Sequence, residues 1–195
     1  MDDIVKAALK KWPNVPDCYG WLALDARGDW YMRDDRTQAA GPFPQVKGSR
    51  INHDKLKEFI HRNYDHDASG AWFFQNGPQR VYVALEASPF ALGVRKVAVG
   101  EGGESGFELE AHTGQIVHEV KAAWLDEFGR LFLETELGLG VVKSMDMGTA
   151  ADAIEAGVWP PLDEMAFADM PARFGYALQP APSASAPAPM PASQA

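Results

Sequence analysis

The chain has 195 residues, 46% of them hydrophobic, and its 27 acidic against 18 basic side chains give a formal net charge of −9. A chain of this size buries most of its apolar surface on folding, so it can build a core as one domain or two small packed ones. The negative charge opposes non-specific binding to nucleic acid or anionic lipid, and a single cysteine, Cys18, excludes an internal disulfide or a multi-cysteine metal site.

The opening MDDIVKAALKKWP begins with acids and lacks the apolar run of a signal peptide, and no segment approaches a membrane-spanning length, so a cytoplasmic location is expected. Ile4, Val5, Ala8, Leu9 and Trp12 share one helical face, which predicts a short packed helix within residues 1–16 that Pro13 and Pro16 close. In YGWLALDARGDWYMRDD two strand-like runs flank Asp25-Ala26-Arg27-Gly28. Aspartate suits the first position of a turn and glycine the position needing positive φ, so a hairpin is expected.

Near-copies recur as HDASGAWFF at 66–74 and LDEFGRLFL at 125–133. Each joins Asp-x-x-Gly to an apolar triplet, Trp30-Tyr31-Met32, Trp72-Phe73-Phe74 or Leu131-Phe132-Leu133, that reads as a strand covered on both faces. The motif is therefore read as a corner and not as a site. Copies on both sides of residue 79 imply two related halves, and a cleft between halves is a natural ligand site.

Residues 34–51 read as a polar, proline-bearing linker, and Asn52 as the cap of a helix reaching Tyr64, with Leu56, Phe59, Ile60 and Tyr64 as its buried stripe. The second corner then makes a helix-to-strand junction. From Gln79 the runs RVYVALE, FALGVRKVAV, FELEA, QIVHEV, AAWLD, RLFLETE and GLGVVKSM predict seven strands. GEGGESG at 100–106 is expected to be a flexible hairpin loop, since it lacks phosphate-loop spacing and carries Glu101 and Glu104. Thr149, with Asp152 three residues on, predicts a helix ending at Gly157.

The expected fold is thus α+β, with two related strand-rich halves, the second a pleckstrin-homology-like antiparallel barrel or sandwich closed by a helix. The division is an N-terminal helix (1–16), a first α+β subdomain (17–78), the seven-stranded subdomain (79–158), a packed irregular arm (159–178) and a Pro/Ala/Ser tail (179–195) expected to be disordered.

Few residues point to chemistry. His61, Asp65, His66 and Asp67 lie close in sequence but match no defined metal-ligand pattern, His112 and His118 read as ordinary strand residues, and no serine or Cys18 sits in a nucleophile-elbow context. Neither catalysis nor a cofactor or metal is expected. The local basic concentration is Lys47, Arg50, Lys55, Lys57 and Arg62, followed by Arg80, which reads either as the solvated face of a helix or as an anion pocket.

GDWYM, KGSRINHDKLKEFIHRNYDHDASGAWFF, RVYVALEASPFAL and AIEAGVW, taken in order over residues 17–159, resemble the proteobacterial domain-of-unknown-function family 1285 or a close uncharacterised sister family. The segment ALEASPFAL, with Glu86, Pro89 and Phe90, is the most specific piece. Ala87 stands where that family has a second acid, and the 34–51 linker is longer. The resemblance implies a duplicated α+β core with a ligand site between the halves, for a nucleotide-like molecule in signalling. The resulting expectation is a non-catalytic sensor or adaptor. Lys47, Arg50 and Arg80 would meet an anionic ligand and Trp30 or Trp72 would stack on it if exposed. The competing expectation is a protein-interaction module that uses the apolar arm or an exposed strand edge.

Overall fold

The computed structural model describes residues 1–99 and 104–182, so most of the GEGGESG loop and the tail beyond residue 182 lie outside the described residues. The fold is α+β, built on two sheets. The first contains β1 (Cys18–Leu24), β2 (Trp30–Met32), β3 (Ser49–Arg50), β4 (Tyr64–His66), β5 (Trp72–Asn76) and β6 (Gln79–Leu85), in the order β3-β2-β1-β6-β5-β4. The second contains β7 (Phe90–Val99), β8 (Glu104–Ala111), β9 (Ile116–Val117), β10 (Val120–Leu125), β11 (Leu131–Thr135), β12 (Gly138–Val142) and β13 (Leu162–Glu164). Its order is β13-β10-β11-β12-β7-β8-β9.

Without β13 the two sheets have one topology. Read from β9, the second sheet repeats the strand sequence of the first, and in each the first strand of the half pairs parallel with the last, β1 with β6 and β7 with β12. The strand at 79–85, expected to open the second half, therefore closes the first. Its apolar run is legible in the sequence, but such a run does not say which strand lies beside it. The second sheet is open among the described residues, its outer strands β13 and β9 being unpaired with one another, so the expected closure into a barrel is corrected.

Among the described residues five α-helices flank the sheets: α1 (Asp3–Lys11), α2 (Asp35–Ala40), α3 (Asp54–Arg62), α4 (Met147–Glu155) and α5 (Met170–Phe174). The segment read as a linker holds α2, whose first turn is capped by Asp34 accepting from Thr37 N–H. In α3 the cap is His53 rather than Asn52, its ring nitrogen accepting from Leu56 N–H at 3.2 Å. That helix stops at Arg62, and Tyr64 begins β4, so the second corner turns a β4–β5 hairpin instead of joining helix to strand. α4 starts at Met147, two residues before the expected Thr149. No helix among the described residues is long and apolar enough to cross a membrane.

The halves share one core. Leu22, Leu24, Trp30, Val83 and Leu85 of the first sheet meet Ala91, Phe132, Leu139 and Val141 of the second, with Met170 and Tyr176 of the arm completing the cluster. Each large side chain so buried contributes about 1.5–3 kcal/mol. Leu131, Phe132 and Leu133 are all buried, as their unbroken apolar run predicts, whereas Met32, expected to be covered, is 53% exposed.

The three Asp-x-x-Gly corners have identical wiring. In each, one aspartate oxygen accepts from the backbone N–H two and four residues on: Arg27 and Asp29 for Asp25, Ser69 and Ala71 for Asp67, Phe128 and Arg130 for Asp126. The glycine N–H returns to the aspartate carbonyl at 3.0 Å every time, and Gly28, Gly70 and Gly129 hold φ between +74° and +84°. A left-handed backbone favours glycine there, and the carboxylate, buried at Asp25 and Asp126, takes up N–H groups the turn would otherwise orphan. The motif is architecture, but it leaves its third and fifth positions free to vary.

Candidate functional site

Two of these corners, one from each half, border the same cleft. Ala26 and Arg27 of the first and Arg130 of the third line a cavity of ≈ 310 Å³ together with Lys47, Glu86, Val141, Val142 and Ser144. Glu86 and Arg130 also border an adjoining cavity of ≈ 580 Å³ whose walls include Phe43, Phe128, Phe167 and Leu178. The two cavities thus form one stretch of surface between the halves, polar at one end and apolar at the other.

Each cation is held differently. Lys47 Nζ donates to buried Asp25 at 2.9 Å and to Glu86 at 3.2 Å, which uses two of its three N–H donors. Burial alone would raise the Asp25 carboxyl, but the hydrogen bonds from Lys47 and from the N–H groups of Asp29 and Arg27 outweigh it and hold its pKa below the ordinary value. Burial would lower the Lys47 ammonium, and its two carboxylate partners reverse that and raise it. Both remain charged at neutral pH.

Arg130 donates from Nε to Asp126 at 2.6 Å. Its guanidinium carbon lies 4.1 Å from the Phe167 ring centre and 5.2 Å from that of Phe128, so aromatic rings pack around it. Its Nη2 is buried and has no hydrogen-bond partner among the described residues. Leaving such a donor unmade costs about 1–3 kcal/mol, which an incoming acceptor would recover. Arg27 is exposed and forms no ion pair among the described residues.

Of the residues expected to bind, Lys47 alone lines this cleft. Arg50 is paired with Asp29 at 2.5 Å, and Arg80 lies over the Phe73 ring at 4.5 Å. Trp30 is fully buried and offers no stacking face. Its Nε1 donates to His61 at 3.0 Å, and its ring packs edge-on to Tyr64. Trp72 is partly buried among Tyr64, His66 and Phe90. The five residues therefore do not converge.

His61 and His112 face one another in the aromatic layer around Trp30, ring centres 5.6 Å apart. Burial, then repulsion from Lys57, holds His61 down to about 4 despite nearby Glu58. Burial, then His61 and Lys143, holds His112 well below its ordinary value. Its Nδ1 accepts from Ala91 N–H at 3.3 Å, which places the proton of the neutral ring on Nε2. The pair is a neutral seam between the halves. His66 turns away, its ring against Trp72 and Asp67 carbonyl, so His61 and His66 do not form a common ligand set.

The arm is tied to both halves. β13 adds to the second sheet beside β10, while Leu178 carbonyl accepts from Leu85 N–H and Ala177 N–H donates to Gly70 carbonyl in the first. Tyr176 hydroxyl donates to Ala87 carbonyl at 2.9 Å. Trp159, Met170 and Tyr176 of the arm are buried, whereas Leu162 is 42% exposed.

Arg27, Phe128 and Arg130 are not legible as site residues in the sequence, because each lies within a motif whose turn-forming role accounts for its Asp and Gly alone. The signal available is their place in the motif: the third and fifth positions, whose backbone N–H groups serve the corner and whose side chains the common wiring leaves free.

A solved structure of a DUF1285 family protein from Silicibacter pomeroyi is similar to the chain at 12% identity and a TM-score of 0.49, over 78% of this chain and 84% of the other. No curated protein matches the chain. A family model described as "Protein of unknown function (DUF2946)" matches residues 1–181. The chain belongs to the family this model describes, a family of proteins of unknown function.

Proposed function

We propose that the protein is a non-catalytic cytoplasmic sensor or adaptor that binds a small anionic ligand in the cleft between its halves. The observation that carries this reading is the convergence of Arg27, Lys47 and Arg130 on one cavity in a chain of net charge −9. Each cation keeps something to offer: Arg27 its whole guanidinium, Lys47 one N–H, and Arg130 the unpartnered Nη2. Ser144 adds a hydroxyl at the rim. Charge-assisted hydrogen bonds of this kind contribute about 1.5–3 kcal/mol each, which suits a phosphate or carboxylate.

The cations come from both halves, so a bound anion would tie Arg27 and Lys47 to Arg130 and favour one mutual placement of the sheets. That is the property a ligand-reporting protein needs. The pleckstrin-homology likeness of the second half and the division into two subdomains, an arm and a tail belong to the same proposal. The strand order supports the division into two halves alone, with the boundary between them moved to the β6–β7 connection.

A thermal-shift screen with inorganic phosphate, pyrophosphate and phosphorylated metabolites tests the reading. A ligand at about 100 times its dissociation constant adds roughly 2.7 kcal/mol, worth roughly 5–10 °C in a chain of this size. No shift with any of them removes the proposal. So does a shift that Arg27→Ala leaves unchanged.

A further inference from the structure

We infer that the ligand is an aromatic anion, a planar ring bearing a phosphate or carboxylate, with its acid among Arg27, Lys47 and Arg130 and its ring in the alcove beside Phe128. This rests on the anion-binding reading and specifies the other end of the molecule.

The alcove is the ≈ 580 Å³ cavity that continues from the cationic end through Glu86 and Arg130. Phe128 stands at its edge with 70% of its surface exposed. The fold does not require it there. The third position of the corner is occupied by Arg27, Ser69 and Phe128 in turn, and the wiring of all three turns is the same. A polar side chain would serve the turn and avoid exposing a ring to water.

Arg130 explains what the ring is for. Its guanidinium packs with Phe167 and Phe128, while Nε is fixed by Asp126, so the plane of the group is set and the unpartnered Nη2 donor lies in that plane. A flat ligand lying beside Phe128 brings its own edge toward this donor, where a ring nitrogen, carbonyl or acid oxygen accepts. Ring faces and a delocalised cation pair with an aromatic surface through their electrostatics as well as their area. An alkyl chain gains the area alone. The third position of two corners thereby becomes the determinant of the ligand: Arg27 for its charge and Phe128 for its ring.

Calorimetric titration of the full chain with phenyl phosphate, n-butyl phosphate and inorganic phosphate tests this. Phenyl phosphate is expected to bind about tenfold more tightly than either of the others, the worth of one stacked ring. Phe128→Ser, which installs the residue type found at the same position of the second corner, is expected to abolish that advantage and keep the affinity for inorganic phosphate. An unchanged unfolding midpoint shows that the variant is folded. Equal binding of phenyl and butyl phosphate, or an aromatic advantage that survives Phe128→Ser, overturns the inference. Binding of inorganic phosphate without an aromatic gain defeats this inference alone, whereas failure of all three compounds to bind defeats the anion-binding reading with it.

Discussion

Alanine at Gly70 and alanine at Gly129 place the same methyl group on the same turn in different surroundings. Both glycines hold a left-handed backbone, φ +77° and +74°. A side chain costs about 1–2 kcal/mol in that conformation. At Gly129 a Cβ meets nothing within 4 Å, so Gly129→Ala should cost that amount and no more. At Gly70 the Cβ would lie 2.0 Å from the carbonyl oxygen of Gly175 and 2.8 Å from its carbon. Both are backbone atoms, and the arm must move.

That movement breaks the Ala177 N–H to Gly70 carbonyl bond and strains the Tyr176 hydroxyl bond to Ala87. Two such bonds contribute about 1–3 kcal/mol together, and partial re-exposure of Tyr176 adds about 1–2 kcal/mol. With the backbone strain included, Gly70→Ala should therefore destabilise by about 3–7 kcal/mol. Urea unfolding followed by tryptophan fluorescence reads both variants, provided the slope with denaturant is unchanged. Values for Gly70→Ala and Gly129→Ala within about 0.5 kcal/mol of each other would refute the claim that the arm packs against the second corner.

Asp67→Ala and Asp126→Ala should each lose about 2–4 kcal/mol, because both strip two backbone N–H groups of their acceptor. Asp126→Ala alone should also weaken phosphate binding, since Asp126 fixes Arg130 Nε, and calorimetry on the two variants separates turn from site. A histidine with a folded-state pKa below its unfolded value leaves the unfolded chain the better proton acceptor. Stability should therefore be full above about pH 6.5, fall on acidification, and cease to fall on account of His61 near about 4. His61→Gln, which keeps an acceptor for Trp30 Nε1, should flatten the decline, and an unaltered pH profile would show that the seam does not titrate.

From Gln79 to Met145 strand existence is legible because the runs are apolar and mostly separated by Gly or Pro, and they correspond to β6 through β12, whereas β3, β4 and β13, two or three residues each, are too short to show alternation. Strand partnership was not legible. β6 looks like its successors in sequence, yet it lies between β1 and β5. α2 was missed because six residues are too few to show helical periodicity, and only the Asp34 cap marks it. At the site, clustering along the chain favoured Arg50 and Arg80, whereas Asp29 and the Phe73 ring already engage them in space. Arg27 and Arg130 are far apart in sequence, and the duplicated topology is what brings their corners to one cleft.

The central claim is that an anion sits between the halves on Arg27 and Arg130. Its most direct test is a titration with inorganic phosphate or pyrophosphate followed by ¹⁵N–¹H NMR of the arginine side chains. Signals of Arg27 and Arg130 should move together along one binding curve, with those of Arg50 and Arg80 unmoved. Movement of Arg50 or Arg80 while Arg27 and Arg130 stay in place would put the anion outside the cleft and contradict the account.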